Sequence, residues 1–91
     1  MELLVNGKEI DYSGLPEHMR GAFRRYFEKR IPPGGFAQAV LCNDLRLAVT
    51  RADSVNKSRL LDYVHWLYEL APAESYGSYD DYERWINGGM N

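Results

Sequence analysis

The chain has 91 residues, 45% of them hydrophobic and 13% aromatic, and a formal net charge of −2. This apolar content excludes a disordered chain, and the mildly acidic balance argues against a general nucleic-acid or membrane-surface binder, which carries an excess of Lys and Arg. The length is that of one domain, residues 1–91, burying roughly 60–65% of its unfolded surface.

Cys42 is the only cysteine, so no intramolecular disulfide can form, and a reducing compartment is expected. MELLVNGKEI has no basic region ahead of an apolar run, so no signal peptide is expected. No apolar run approaches the roughly 18 residues of a membrane span. The expected location is the cytoplasm. Residues 1–66 carry 10 basic and 8 acidic groups and residues 67–91 carry 1 and 5, so the C-terminal part is acidic and aromatic.

Residues 1–12 are expected to hold a β-hairpin. Leu3-Leu4-Val5 and Lys8-Glu9-Ile10 flank Asn6-Gly7, which supplies the two positive-φ residues of a type I′ turn. The remainder, 15–89, is expected to be a helical body. Ser13 is a candidate N-cap, with Pro16 tolerated in the first turn of a helix over about 15–31. Its apolar stripe is Leu15, Met19, Ala22, Phe23, Tyr26 and Phe27. Ile31-Pro32-Pro33-Gly34-Gly35 stops it. A helix over 34–42 follows. The apolar stripe then jumps around the axis at Asn43-Asp44. That predicts a break and a second short helix over 44–51 capped by Asn43 or Asp44, or else one bent helix from 35 to 52.

The helix over 54–71, capped by Asp53, is expected to be central because apolar residues cover most of its circumference. Leu60, Leu61, Val64 and Leu67 are expected to be the centre of the core. Ser54, Ser58, Asp62, His65 and Glu69 form a narrow polar stripe. Pro72 ends the helix. Ser78 and Asp81 form an acidic variant of the capping box before a last helix over 79–87.

No catalytic constellation is visible. Cys42, His18 and His65 have no metal-motif spacing, so neither a metal site nor a cofactor is expected. Cys42 reads as a small core residue, and His65 as a solvated histidine beside Asp62 and Glu69. The Pro-Gly run lacks the remaining residues of a phosphate loop and reads as a turn. Two surfaces are candidates for binding. Arg59, Tyr63, Trp66 and Leu70 form a shoulder rich in hot-spot residue types, unless the hairpin or the last helix covers it. His18, Arg25 and Lys29 lie within about 40° on the helical wheel with no acid among them. They are a candidate anion site, or simply a solvated face.

LPEHMRGAFRRYFEKRIPPGGF, AVLCNDL, the A-x-T-R-A-D-S-x-N run ending at Asn56, and WLYELAP followed by Gly77-Ser78 resemble small proteins encoded by tailed bacteriophages and prophages. The resemblance covers about residues 15–78 and includes no catalytic signature. It implies an accessory protein acting in the cytoplasm of a bacterial host, where such proteins often bind and redirect host components, including defence systems. The expectation is therefore a mainly α domain of about five helices around the 54–71 helix, with an N-terminal β-hairpin. Its expected function is non-enzymatic binding of a host protein, as a counter-defence or host-takeover factor, with homodimerisation open. The alternative is a nucleotide or nucleic-acid binder, for example one that sequesters a cyclic-nucleotide signal through the cationic flank.

Overall fold

The computed structural model describes residues 4–5 and 8–88. Leu4–Val5 (β1) and Lys8–Glu9 (β2) pair antiparallel, with Leu4 opposite Glu9 and Val5 opposite Lys8. The Asn6-Gly7 turn expected between them lies outside the described residues. The fold is mainly helical. Its helices are α1 (Glu17–Lys29), α2 (Gly35–Leu41), α3 (Leu45–Arg51), α4 (Ser54–Ser58), α5 (Leu60–Leu70) and α6 (Tyr79–Ile86). Short 3-10 turns at Tyr12–Gly14 and Ala73–Ser75 precede α1 and α6.

Local chemistry sets most boundaries. The carboxylates of Asp44 and Asp53 accept from the backbone N–H of Leu47 and Asn56, at 3.1 and 2.7 Å, and so start α3 and α4. The Ser78 hydroxyl accepts from the Asp81 N–H at 3.0 Å to start α6. Residues 35–51 are two helices. Asn43 takes the left-handed conformation (φ 61), its N–H donates to Val40 O, and the Asp44 N–H donates to Ala39 O. This is a Schellman closure, and asparagine tolerates its left-handed residue better than most. Ser13 does not cap α1. Asp11 instead accepts from the Ser13 N–H to cap the 3-10 turn, and α1 begins after Pro16 with no side-chain cap.

The core is organised around α1 rather than around the 54–71 segment. Phe23, Tyr26 and Phe27 have no exposed surface. On one side Phe23 meets Tyr63 and Trp66 of α5, with ring centroids 5.7 and 6.0 Å apart. On the other side Tyr26 stacks on Tyr82 of α6 at 5.6 Å, and Phe27 meets Trp85 at 6.4 Å. Tyr12 against Trp66 and Phe36 against Tyr63 extend this aromatic chain to the first turn and to α2. Such ring pairs add to the burial of the rings themselves.

The expected helix over 54–71 breaks at Arg59 into α4 and α5. Its expected core face is also rotated. Leu67 is buried and Leu60 half-buried, but Leu61 is 81% exposed and Val64 53% exposed. Tyr63 and Trp66 point inward instead. The physical reason is polar satisfaction combined with ring packing. The Tyr63 hydroxyl donates to the buried Asn56 Oδ1 at 2.5 Å, and the Trp66 indole N–H donates to Asp11 O at 3.0 Å. The two largest rings of α5 therefore reach the aromatic core with no polar atom stranded.

Candidate functional site on the outer side of α5

Going around α5, the surface falls into three strips. Tyr63, Trp66 and Leu67 face the core. Leu61, Val64 and Tyr68 form an apolar strip on the outside, with Tyr68 80% exposed. Asp62, His65 and Glu69 form the polar strip, at the three- and four-residue spacing that keeps them on one line. Arg59 Nε donates to Asp62 at 2.6 Å, and His65 Nε2 lies 3.0 Å from Glu69 Oε1. Such exposed pairs hold side-chain positions more than they stabilise the fold.

Between the polar strip and the first 3-10 turn lies a cleft of about 340 Å³, lined by Asp11, Ser13, Gly14, Arg59, Asp62, His65, Trp66, Glu69 and Leu70. Its floor is fixed from both sides. Arg59 reaches across to donate to Gly14 O at 3.2 Å, and the Trp66 indole N–H is held by Asp11 O. A Cβ at Gly14 would stand 3.0 Å from the Trp66 ring, so the missing side chain lets the turn lie against the indole. Three carboxylates (Asp11, Asp62, Glu69) face one guanidinium and one imidazole, so the cleft carries an excess of negative charge at neutral pH.

The structure brings three of the four predicted partner residues, Arg59, Trp66 and Leu70, to this cleft. Tyr63 is not among them. Its ring is fully buried between Phe23 and Phe36, so it belongs to the core. Trp66 is 5% exposed, so little of its ring reaches the cleft. Asp62, His65 and Glu69 already stood out as a polar stripe in the sequence. That Asp11 would face them depends on a contact 55 residues apart, between Trp66 and Asp11. No local pattern predicts such a contact.

The cationic trio is divided. His18 Nε2 lies 3.1 Å from Asp53 Oδ2, so His18 is occupied by the α4 cap. Arg25 and Lys29 are exposed on α1. The Asp53 carboxyl is held below the usual carboxylate range, first by the Asn56 N–H and then by His18. Cys42 is buried, and burial pushes its thiol up to about 11, with Asp44 and Glu83 adding to the effect. A thiol in that state is a poor nucleophile at neutral pH. Among the described residues no group of three His, Cys, Asp or Glu side chains is placed to hold a metal ion. Nor is any helix among them long and apolar enough to cross a membrane.

Comparison with protein-family models, with curated proteins and with solved structures finds no match to this chain.

Proposed function

We propose that this chain is a non-enzymatic, phage-encoded accessory protein that binds a host protein in the bacterial cytoplasm, through the cleft between α5 and the first 3-10 turn. The observation that supports this reading is the cleft itself. Arg59, Trp66 and Leu70 converge on it, and its carboxylates outnumber its cations. Its ligand is a protein segment presenting a Lys or Arg side chain. That side chain would enter among Asp62, Glu69 and Asp11 with its methylenes against Leu70 and the Trp66 edge. The phage origin and the counter-defence role rest on the resemblance of residues 15–78.

The test is affinity capture from bacterial lysate with the wild type and with the double charge reversal Asp62→Lys, Glu69→Lys. Both positions are exposed, so the variant should keep its fold. A host protein captured by the wild type should be lost by the variant. Equal capture by both would remove the cleft as the site.

A second reading has a specific observation behind it. Arg25 and Lys29 stand exposed on α1, and neither has an ion pair within the described residues. They would bind a nucleotide or nucleic acid, for example a cyclic-nucleotide signal. Such binding should weaken steeply with salt and vanish in Arg25→Glu, Lys29→Glu. The proposal also takes the N-terminal segment as a hairpin closed by Asn6-Gly7. Slow amide exchange across residues 3–10, lost on Gly7→Val, is the expected outcome.

A further inference from the structure

The apolar strip of α5 lies outside the cleft and outside the core, and the binding reading does not use it. Leu61 is 81%, Tyr68 80% and Val64 53% exposed. Beside them on α3, Leu45 is 66% exposed. Leu45 and Val64 share a shallow groove with Ala39, Val40, Ala48 and Leu60. The groove joins the two helices into one patch.

We infer that this patch is the contact between two copies of the chain, forming a two-fold symmetric homodimer with α5 packed against α5. Two observations favour a second copy over another partner. The first is area. The four exposed side chains present on the order of 500 Å² per chain, so two copies that covered all of it would bury on the order of 1,000 Å², the low end for a specific interface. Patches of that size on small proteins are often functional surfaces.

The second is pattern. Leu61, Val64 and Tyr68 follow one line on the helix at spacings of three and four. When two such lines run antiparallel and cross at Val64, Leu61 of each copy meets Tyr68 of the other, and Val64 meets Val64. The strip is thus complementary to itself, as an isologous contact requires.

The test is sedimentation velocity of the full chain from about 1 to 200 μM, a range covering the affinities of standard-size interfaces from tight to weak. The wild type should reach twice its 10.5 kDa mass, reversibly with dilution. Leu61→Asp, Tyr68→Asp should remain monomeric throughout, with unchanged helicity by circular dichroism. A second variant keeps Leu61 and Tyr68 and leaves the strip apolar. Val64→Cys, close to the two-fold axis, should form an intermolecular disulfide under mild oxidation, because facing helices bring such positions within disulfide reach. Lys29→Cys on α1 should not. The buried Cys42 leaves that reading clear. A wild type that stays monomeric at 200 μM would overturn the inference. So would a double variant that dimerises like the wild type, or equal cross-linking at positions 64 and 29. None of these outcomes bears on the cleft, whose own variants change Asp62 and Glu69.

Discussion

Arg30 shows how one residue fastens two helices. It ends α1 in the left-handed conformation (φ 57), which costs a non-glycine residue roughly 1–2 kcal/mol. Its guanidinium lies 3.9 Å above the Trp85 ring and donates to Trp85 O at 2.7 Å. The Trp85 indole N–H in turn donates to Tyr26 O at 2.9 Å, so the end of α6 is clamped to α1 from two directions. The side chain offsets the backbone cost. Arg30→Ala keeps the strained φ and loses the clamp, so it should destabilise by about 1–3 kcal/mol. Arg30→Gly loses the same clamp but relaxes the backbone, and should cost about 1 kcal/mol less than alanine. Urea denaturation of the two variants checks this. Glycine as costly as alanine would mean that the left-handed turn stores no strain. A cation near a helix C-terminus is a general helix-end feature, but the tryptophan it covers is 55 residues away and no local signal names it.

At the scale of elements, the capping residues were the most legible feature. Asp44, Asp53 and Ser78 act within three residues of themselves, and so their role survives without knowledge of the fold. The two aspartates also make α3 and α4 sensitive to acid. The Tyr79 hydroxyl donates to the Asp44 carboxylate at 2.6 Å, and with the Leu47 N–H it holds that carboxyl below its usual range. Asp53 is lowered chiefly by the Asn56 N–H. A carboxyl depressed in the folded state stabilises it above the unfolded value near 4, and that contribution is lost as pH falls through the folded value. Helicity and melting temperature should therefore be flat from about pH 7 to 5 in this respect and fall below about pH 4. Asp53→Asn removes the titrating group while keeping a capping side chain. It should flatten part of that acid limb, which circular dichroism against pH would show. An unchanged limb in both Asp44→Asn and Asp53→Asn would place the acid sensitivity elsewhere.

The Ser13 expectation failed for a different reason. Asp11 takes the nearby N–H first and builds a separate turn, and Arg20 then binds Leu15 O and Ser13 O at 2.9 and 3.1 Å. Two short-range solutions were available to the same residues, and packing of Tyr12 on Trp66 accompanies the one that formed.

At the scale of the molecule, the helices were legible and the rotation of α5 was not. A helical wheel identifies the core side only when one side is polar. Here Leu60, Leu61, Val64 and Leu67 offered one apolar face while Tyr63, Trp66 and Leu70 offered another. The structure selects the second because α1 supplies Phe23 and Phe27 as ring partners, while Asn56 and Asp11 accept from the two polar ring groups. Leu61 and Val64 are left outside, and their exposure creates the apolar strip. The same rotation sends Tyr63 into the core and leaves Arg59 and Leu70 at a cleft. Both proposed binding surfaces therefore depend on how α5 is turned.

Equilibrium denaturation of Trp66→Ala and Leu61→Ala, side by side in dilute solution, tests that orientation most directly. Trp66 is 5% exposed and packs against three rings of the core, so its loss should cost about 3–5 kcal/mol, a large share of a stability of roughly 5–15 kcal/mol. Leu61 is 81% exposed, and its loss should stay within about 0.5 kcal/mol. A costly Leu61→Ala beside a tolerated Trp66→Ala would mean that α5 turns its aliphatic face inward, contradicting both the cleft and the strip.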